Sequence, residues 1–224
     1  MNFLELCQET ARIAEITGGG PRSVVSQTGE NLDVVRWTRE AWVDIQNLQL
    51  WDFLRKELLF PTVAGQQYYT RAQMGASDMR KVDEDTLRIY RDSVGTSDEQ
   101  YLVGWDWEVF WNTYGFAQQA QGRPNIFTIR RSDKAMGLGQ IPDSGDYKVR
   151  GWYWSRAVRM ALDADEPAID EELQMVIPYR AVMHYANREA AAEVKQEAVE
   201  NYGPLMDRMY EQYLPAVSMG GPLA

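Results

Sequence analysis

The strand pattern of this chain is clearest in residues 146–155, which read DYKVRGWYWS. Successive side chains of a β-strand point to opposite faces of a sheet, so alternate residues share a face. Val149 and Tyr153 therefore fall on one face. Trp152 and Trp154 fall on the other face, beside two basic side chains. If the first pair faces a core, the two tryptophans face outward.

The same period of two recurs on both sides of a short helical stretch, and it predicts an antiparallel β domain over residues 55–160. The strand candidates are residues 58–62, 67–69, 86–91, 100–103, 125–131, 135–141 and 146–155. Ala64-Gly65 separates the first two candidates, which predicts a tight β-hairpin. Residues 105–114 instead place aromatic rings at three- and four-residue spacing, which predicts a short helix within this domain.

Helical periodicity governs both ends of the chain. Residues 2–16 and 28–50 carry apolar residues at helical spacing, and GGGP at residues 18–21 separates them. Residues 1–54 therefore predict a helical hairpin. Residues 161–214 predict further helices that pack on this hairpin. The predicted fold class is α+β, with N- and C-terminal helices packed as a helical bundle and an intervening small antiparallel β domain.

Helix-breaking residues predict two interruptions in the C-terminal helices. A helix that is capped near Asp170 should kink or restart at Pro178, which lies too deep for a first turn. The Gly203-Pro204 pair should then break the helix before a last short helix over residues 205–213.

The composition excludes several functional classes. The chain has 224 residues, one cysteine and a formal charge of −10. An acidic chain is not expected to grip nucleic acid, because that requires clustered Lys and Arg. The single cysteine allows no internal disulfide and fits a reducing compartment. No signal sequence and no apolar run of about 20 residues is seen, so we expect synthesis in the cytoplasm and no membrane partner.

Residues that could carry catalysis each have a simpler structural role. His184 stands alone on an apolar helix stripe, which is typical of a hydrogen-bonded core or interface histidine. Cys7 lies on the buried stripe of the first helix. The glycines at residues 18–20 follow no strand and precede no Lys-Ser or Lys-Thr pair, so they do not predict a nucleotide-binding loop. We predict a protein that is not an enzyme and has no catalytic residue, metal or cofactor.

Six carboxylates fall within residues 163–172. The segment lacks the central glycine of a calcium-binding loop, and closeness in sequence does not set the spacing of a catalytic carboxylate pair. We interpret it as a solvated connector, as we do the acidic run at residues 83–85. A hydrolase that uses the connector is the competing interpretation.

Aromatic residues are more numerous in the β domain than the packing of a small sheet requires. Five of the eight tryptophans lie between Trp105 and Trp154. Outward tryptophans mark a protein interface or, less often, a platform on which a sugar stacks, and the core is the third possible location. We predict that Trp152 and Trp154 form a partner interface, with carbohydrate binding as the alternative.

Five short motifs follow one another along nearly the whole chain. They are TVAGQQYY at residues 62–69, WEVFW at 107–111, GRP at 122–124, IPD at 141–143 and PAID at 167–170, which opens an alanine-rich helical region. In this order, after a helical hairpin, they resemble the head-to-tail adaptor (connector or head-completion) proteins of tailed bacteriophages, particularly short-tailed ones. The first two motifs are similar to the family's first β-hairpin and its short helix.

The resemblance implies a structural virion protein at the head–tail junction. Adaptors of this kind form a ring, commonly twelve-fold, between the portal protein and the tail or nozzle, and DNA passes through the ring without sequence-specific binding. Their C-terminal segment typically lies against the portal, and we expect residues 215–224 to be flexible or ordered by a partner. The predicted partner-interface residues are Trp152, Trp154, Leu214, Pro215, Val217 and Met219. A tail nozzle or tail-tube component is the alternative role.

Overall fold

The computed structural model describes residues 1–116 and 120–214, which form two compact units. The helical unit combines residues 1–54 with residues from 157 onward, and the β unit spans residues 55–156. The predicted α+β class is confirmed, because the terminal helices share one unit and a region of mainly antiparallel sheet fills the other.

Five α-helices lie in the described part of the chain. They are α1 (Phe3–Ile13), α2 (Gly29–Leu48), α3 (Trp107–Tyr114), α4 (Val176–Glu189) and α5 (Ala192–Tyr213). Short 3-10 turns add Asp52–Leu54, Thr96–Asp98 and Glu171–Leu173. Helix α3 belongs to the β unit, as predicted, and the other four helices form the helical unit. None of these helices combines the length and apolar content that crossing a membrane requires.

Helix α1 begins at a reciprocal cap. The Glu5 amide donates to Asn2 Oδ1 at 2.9 Å, and the Asn2 amide donates to Glu5 Oε2 at 2.8 Å, which satisfies two amides that lack a helical partner. The predicted turn after this helix contains Gly20 with φ at +83°. A Cβ at Gly20 would lie 2.9 Å from Ala11 Cβ, so both the backbone angle and the close approach favour glycine.

Helix α4 is the centre of the helical unit, because it packs against α1, α2 and α5. The core contains mainly aliphatic side chains and three tryptophans, and its largest buried members include Phe3, Leu6, Trp37, Trp42, Ile45, Trp51, Leu173, Ile177 and Met209. Trp51 is fully buried, and its indole N–H donates to the Ile45 carbonyl at 2.7 Å. Its ring also stacks on Tyr210 at 5.5 Å, which ties α5 to the segment that follows α2.

The restart predicted near Pro178 is confirmed, but the expectation that Pro178 lies too deep for a first turn is wrong. A 3-10 turn ends at Leu173, and α4 begins at Val176. Pro178 therefore lies in the first turn of α4, where a missing N–H removes no helical hydrogen bond.

The break predicted at Gly203-Pro204 is wrong, because α5 runs through both residues. Proline at position 204 removes one hydrogen bond to the Glu200 carbonyl, and Glu200 is exposed, so water can satisfy that carbonyl. The chain breaks instead at Ala190, whose φ of +55° ends α4 in the left-handed region.

We expect Pro204→Ala to stabilise the protein by about 1–3 kcal/mol, because alanine restores the helical hydrogen bond and is the stronger helix former. Urea unfolding followed by circular dichroism measures this change. Pro178→Ala is the matched control and should give no such gain, because its position needs no N–H and its ring is buried. An unchanged or lower stability of Pro204→Ala would contradict a continuous α5.

The β unit contains two four-stranded sheets. The strands are β1 (Arg55–Pro61), β2 (Tyr68–Tyr69), β3 (Met79–Arg91), β4 (Gln100–Tyr101), β5 (Val103–Gly104), β6 (Gln121–Gly122), β7 (Ile126–Ile129), β8 (Met136–Gly139), β9 (Ile141–Pro142) and β10 (Tyr147–Ser155). The first sheet has the order β1-β10-β3-β4, and the second has the order β2-β8-β7-β5. Strands β6 and β9 form a separate parallel pair.

The hairpin predicted between β1 and β2 is wrong. Strand β1 pairs with β10 over seven residues, whereas β2 pairs with β8 in the other sheet. The six residues between the two strands are long enough to cross between sheets. Phe60 and Tyr69 then meet at 5.3 Å between the ring centroids and belong to one buried cluster. Burying both rings in a shared core outweighs the local turn signal.

Strand β3 extends over 13 residues, although only residues 86–91 were predicted. Its first half contains Lys81, Asp83, Glu84 and Asp85, and so many charges conceal the alternation. Val82, Leu87 and Ile89 nevertheless bury their side chains in the cluster that the two sheets share. The predicted strand at residues 100–103 is divided, because β4 joins the first sheet and β5 joins the second.

Candidate partner-binding surface

The outer face of the sheet β1-β10-β3-β4 carries the tryptophans that the sequence singles out. Val149 and Tyr153 are buried on the inner face, which places their neighbours on the outer face. Trp152 is 41% exposed, and Trp154 is half-buried. The outward orientation of the pair agrees with the alternation in the sequence, but Trp154 is partly covered by its surroundings.

Arg55 lies over both indole rings. Its guanidinium carbon is 5.1 Å from the ring centroid of Trp152 and 5.8 Å from that of Trp154. Arg55 Nη2 also donates to Asp83 Oδ2 at 2.5 Å. These contacts combine cation–π attraction with an ion pair, so the two rings are held in place before any partner arrives.

A second group of charges lies on the same face beside β4. Glu99 is mostly buried, and its two oxygens accept hydrogen bonds from Arg88 at 3.0 Å and from Arg150 at 2.9 Å. The Arg88 guanidinium carbon lies 4.6 Å from the ring centroid of Tyr101, which is 62% exposed. We call Trp152, Trp154, Arg55, Arg88, Arg150, Tyr101 and Glu99 the sheet face.

A large bulge of four residues in β3 shapes the sheet face. The register passes from Arg150 opposite Arg88 to Trp152 opposite Asp83, so one residue of β10 faces four residues of β3. The Thr86 hydroxyl oxygen accepts from the Trp152 amide at 3.0 Å, which fixes the bulge to β10. A shallow cavity of about 310 Å³ opens beside the bulge and is lined by Lys81, Val82, Asp83, Glu84, Asp85 and Trp154.

Gly151 permits this bulge because it has no side chain. A Cβ at this position would lie 2.7 Å from Leu87 Cδ2 and 3.2 Å from Leu87 Cα, and the second atom cannot move without the backbone. The packing of Leu87 in the core therefore requires glycine at position 151.

We expect Gly151→Ala to destabilise the protein by about 1–3 kcal/mol, because the added methyl group overpacks the core around Leu87. Thermal unfolding measures the loss. Gly145→Ala is the control, since its added Cβ would meet only the Thr62 carbonyl oxygen, at 3.7 Å. Equal stability of the two variants would contradict the close packing at Gly151.

A second aromatic surface lies around helix α3, and the predicted interface residues do not include it. Its rings are in successive contact, and we call them the α3 cluster: Tyr68, Trp105, Trp107, Phe110, Trp111, Tyr114 and Phe116. Phe110 is fully buried, whereas Trp111 is 38% exposed and Phe116 is 59% exposed. The helical spacing of residues 105–114 indicated this helix, but spacing alone did not show which rings face the sheet.

Arg130 holds the inner end of the α3 cluster. Its guanidinium carbon lies 5.6 Å from the Tyr68 ring centroid and 5.7 Å from the Trp107 ring centroid. Asp133 accepts two hydrogen bonds from Arg130, at 2.9 and 2.6 Å. These bonds are the main reason that the pKa of the Asp133 carboxyl falls from its ordinary value of 3.8 to about 2.

The lowered pKa of Asp133 predicts an acid-sensitive contribution to stability. A carboxyl whose pKa is depressed by folding stabilises the protein above the unfolded-state pKa, and this contribution is lost as the pH falls from near 3.8 to about 2. Asp133→Asn should therefore reduce the change in stability across this range. Denaturant unfolding at several pH values, followed by tryptophan fluorescence, measures the difference. Parallel curves for the two proteins would contradict the pairing.

Of the other predicted interface residues, only Leu214 lies in the described part of the chain. It follows the last residue of α5 and is half-buried, and its amide donates to the Tyr210 carbonyl at 3.3 Å. Pro215, Val217 and Met219 lie outside the described residues.

The acids of residues 163–172 make separate structural contacts. Asp163 accepts from the Val24 amide at 2.6 Å, and Asp165 accepts from the Ala161 and Leu162 amides. Both side chains are half-buried, so the prediction of a wholly solvated connector is wrong for them. Asp163 and Asp165 bind separate backbone segments, and Glu172 pairs with Arg208 at 2.8 Å, so these contacts give the hydrolase interpretation no support.

The remaining candidate chemistry is also engaged in the helical unit. His184 Nε2 lies 3.1 Å from Asp44 Oδ2, which confirms the prediction of a hydrogen-bonded histidine. Cys7 is buried as predicted, and burial is the main cause that raises the pKa of its thiol to about 12. Within residues 1–116 and 120–214, His, Cys, Asp and Glu side chains form no group of three or more that could hold a metal ion.

Charge is divided unequally between the two units. The helical unit carries 9 basic and 20 acidic residues, a formal net charge of −11. The β unit carries 14 basic and 13 acidic residues, a net charge of +1. The acidic character of the chain therefore belongs to the helical unit.

Comparison with known protein families matches residues 1–218 to the SU10 adaptor protein family. The match covers nearly the whole chain, and the protein belongs to this family. It is a bacteriophage adaptor, which is a structural component of the virion. The resemblance to head-to-tail adaptor proteins is thereby confirmed. A search of curated proteins found no match.

Proposed function

We propose that this protein forms a ring, commonly twelve-fold among adaptors of this kind, between the portal protein and the tail or nozzle. The ring lets DNA pass without sequence-specific binding. The observation that carries the proposal is the family match over residues 1–218. The acidic, histidine and cysteine side chains described above make structural contacts. They therefore do not suggest a competing catalytic role.

Exposed and immobilised aromatic residues support a role in contacts between proteins. Tryptophan, tyrosine and arginine are the residue types that dominate binding energy at protein interfaces. On the sheet face, Arg55 already orients Trp152, so less side-chain entropy is lost when a partner binds. We therefore propose that Trp152 and Trp154 belong to a contact with another polypeptide of the virion.

Electrostatics supports passage of DNA. The excess negative charge lies on the helical unit, and a surface of this sign repels phosphates. DNA would slide past such a surface, because it displaces few counterions and gains little binding energy there.

The C-terminal segment supports attachment to a neighbouring protein. We propose that the chain divides into residues 1–54, 55–160, 161–214 and 215–224. The last of these is the C-terminal segment. The segment begins directly after Leu214, and Pro215, Val217 and Met219 give it apolar side chains that suit a groove on the portal protein. Truncation after Leu214 that leaves the chain folded but abolishes capture by the portal would support this role.

Cryo-electron microscopy of the particle that contains this chain tests the proposed location. The expected density is a ring of copies between portal and tail. Density for the chain in a fibre, or its absence from the particle, would overturn the adaptor role. Density restricted to the distal tail would favour the nozzle or tail-tube alternative.

We expect Trp152→Ala to lower the yield of tailed, infectious particles by about tenfold or more, because it removes an aromatic anchor from the proposed interface. Negative-stain microscopy counts tailed and tailless heads. Trp152→Phe retains an aromatic ring and should retain part of the yield, and Phe116→Ala tests the α3 cluster separately. Normal yields for Trp152→Ala would show that this tryptophan is not part of the interface.

Carbohydrate binding predicts a different result for the same variant. Arg55 covers one face of both indole rings, which leaves less ring surface for a sugar. Glycan binding by the native protein that is lost in Trp152→Ala would favour that alternative.

A further inference from the structure

A ring requires each copy to present two different surfaces to its neighbours. A head-to-tail contact that repeats about an axis can close a ring, whereas a two-fold contact joins only pairs. Two helical units, each with a net charge of −11, repel one another. A contact between the helical unit of one copy and the β unit of the next avoids most of this repulsion.

Helix α5 presents an acidic row to solvent. The row follows a spacing of three, four or seven residues and consists of Glu193, Glu197, Glu200, Asp207 and Glu211. At 3.6 residues per turn, these positions lie on one side of the helix, away from the buried residues Ala198, Met206 and Met209. All five side chains are exposed, and none forms an ion pair with another described residue.

The sheet face has unsatisfied positive charge at one end. Arg88 and Arg150 share the single carboxylate of Glu99, so this group keeps a net positive charge. Tyr101 and Trp152 on the same sheet face add exposed aromatic surface. The opposite end, at the bulge, carries Asp83, Glu84 and Asp85, which would repel further carboxylates.

We propose that the acidic row of α5 in one copy docks on the Arg88–Arg150 end of the sheet face in the next copy. The carboxylates accept hydrogen bonds from the guanidinium groups, which suit this geometry. Tyr101 and Trp152 pack against the aliphatic parts of the same helix, and a helix on a sheet is a common packed layer. This contact rests on the proposed ring and names the surfaces through which its copies meet.

A photocrosslinking residue at position 101 tests the contact in assembled particles. p-Benzoylphenylalanine replaces Tyr101, which is exposed and aromatic, so the substitution keeps an aromatic ring at this position and loses only the hydroxyl that accepts from Arg88 at 2.8 Å. Irradiation should give a band of twice the chain mass, and mass spectrometry should locate the crosslink within α5, Ala192–Tyr213, of another copy. Crosslinks only to a different protein or to another region, or the absence of a dimer band, would overturn the contact.

Charge reversal provides an independent measurement on the same crosslinkable chain. The triple variant Glu193→Lys, Glu197→Lys and Glu200→Lys should lower the yield of the dimer band about tenfold or more. The control changes the net charge equally at exposed acids elsewhere in the helical unit: Glu15→Lys, Glu30→Lys and Glu166→Lys. An equal loss in both triple variants would show that only overall charge matters, and no loss in either would exclude α5; both outcomes overturn the proposal.

The two experiments separate this contact from the proposed function. Recovery of the chain at the head–tail junction reports on the adaptor role, whereas the crosslinked peptide reports on the contact between copies. If the chain is absent from the particles, both the adaptor role and the contact between copies are excluded. If the chain is present but crosslinks at other positions, only the contact through α5 is excluded.

Discussion

The structure of the β unit depends on strand β10, which pairs with β1 along one edge and with β3 along the other. This central position gives its two faces different environments. The inner face buries Val149 and Tyr153, and the outer face exposes Trp152. A shift of one residue in the register would exchange the faces and place the tryptophans in the core. The burial of apolar side chains therefore fixes both the fold and the orientation of the candidate surface.

The bulge in β3 links this pairing to the surface chemistry. It is possible because Gly151 lets Leu87 approach the backbone of β10, and it brings Asp83 opposite Trp152. Asp83 in turn binds Arg55, which lies over both tryptophans. A packing constraint in the core thus positions the charged and aromatic groups on the outer face.

The two units differ in net charge and in exposed aromatic surface. The β unit is nearly neutral and carries preorganised aromatic residues, which suit contacts with other proteins. The helical unit is strongly acidic, and in the proposed ring this charge would repel DNA phosphates or bind a basic surface of the next copy. Membership in the SU10 adaptor protein family fits this difference, since an adaptor is a structural protein of the virion.

The sequence determined the features that depend on local periodicity. It indicated α1, α2 and α3, the alternation in β10, the roles of His184 and Cys7, and the order of motifs that identifies the family. These features could be predicted because hydrophobic spacing reports directly on which side of a helix or strand is buried.

The pairing of the strands and the break between the long helices depend on contacts that local spacing does not report. Residues 62–67 looked like a hairpin turn, yet the burial of Phe60 and Tyr69 between two sheets sends β1 and β2 to different partners. Pro204 looked like a helix break, yet the packing of Met206 and Met209 holds α5 intact. The Arg55 contacts with Asp83 and the two tryptophans join residues that are distant in sequence. Local spacing carries no information about such contacts, because the energy of packing a shared core selects them.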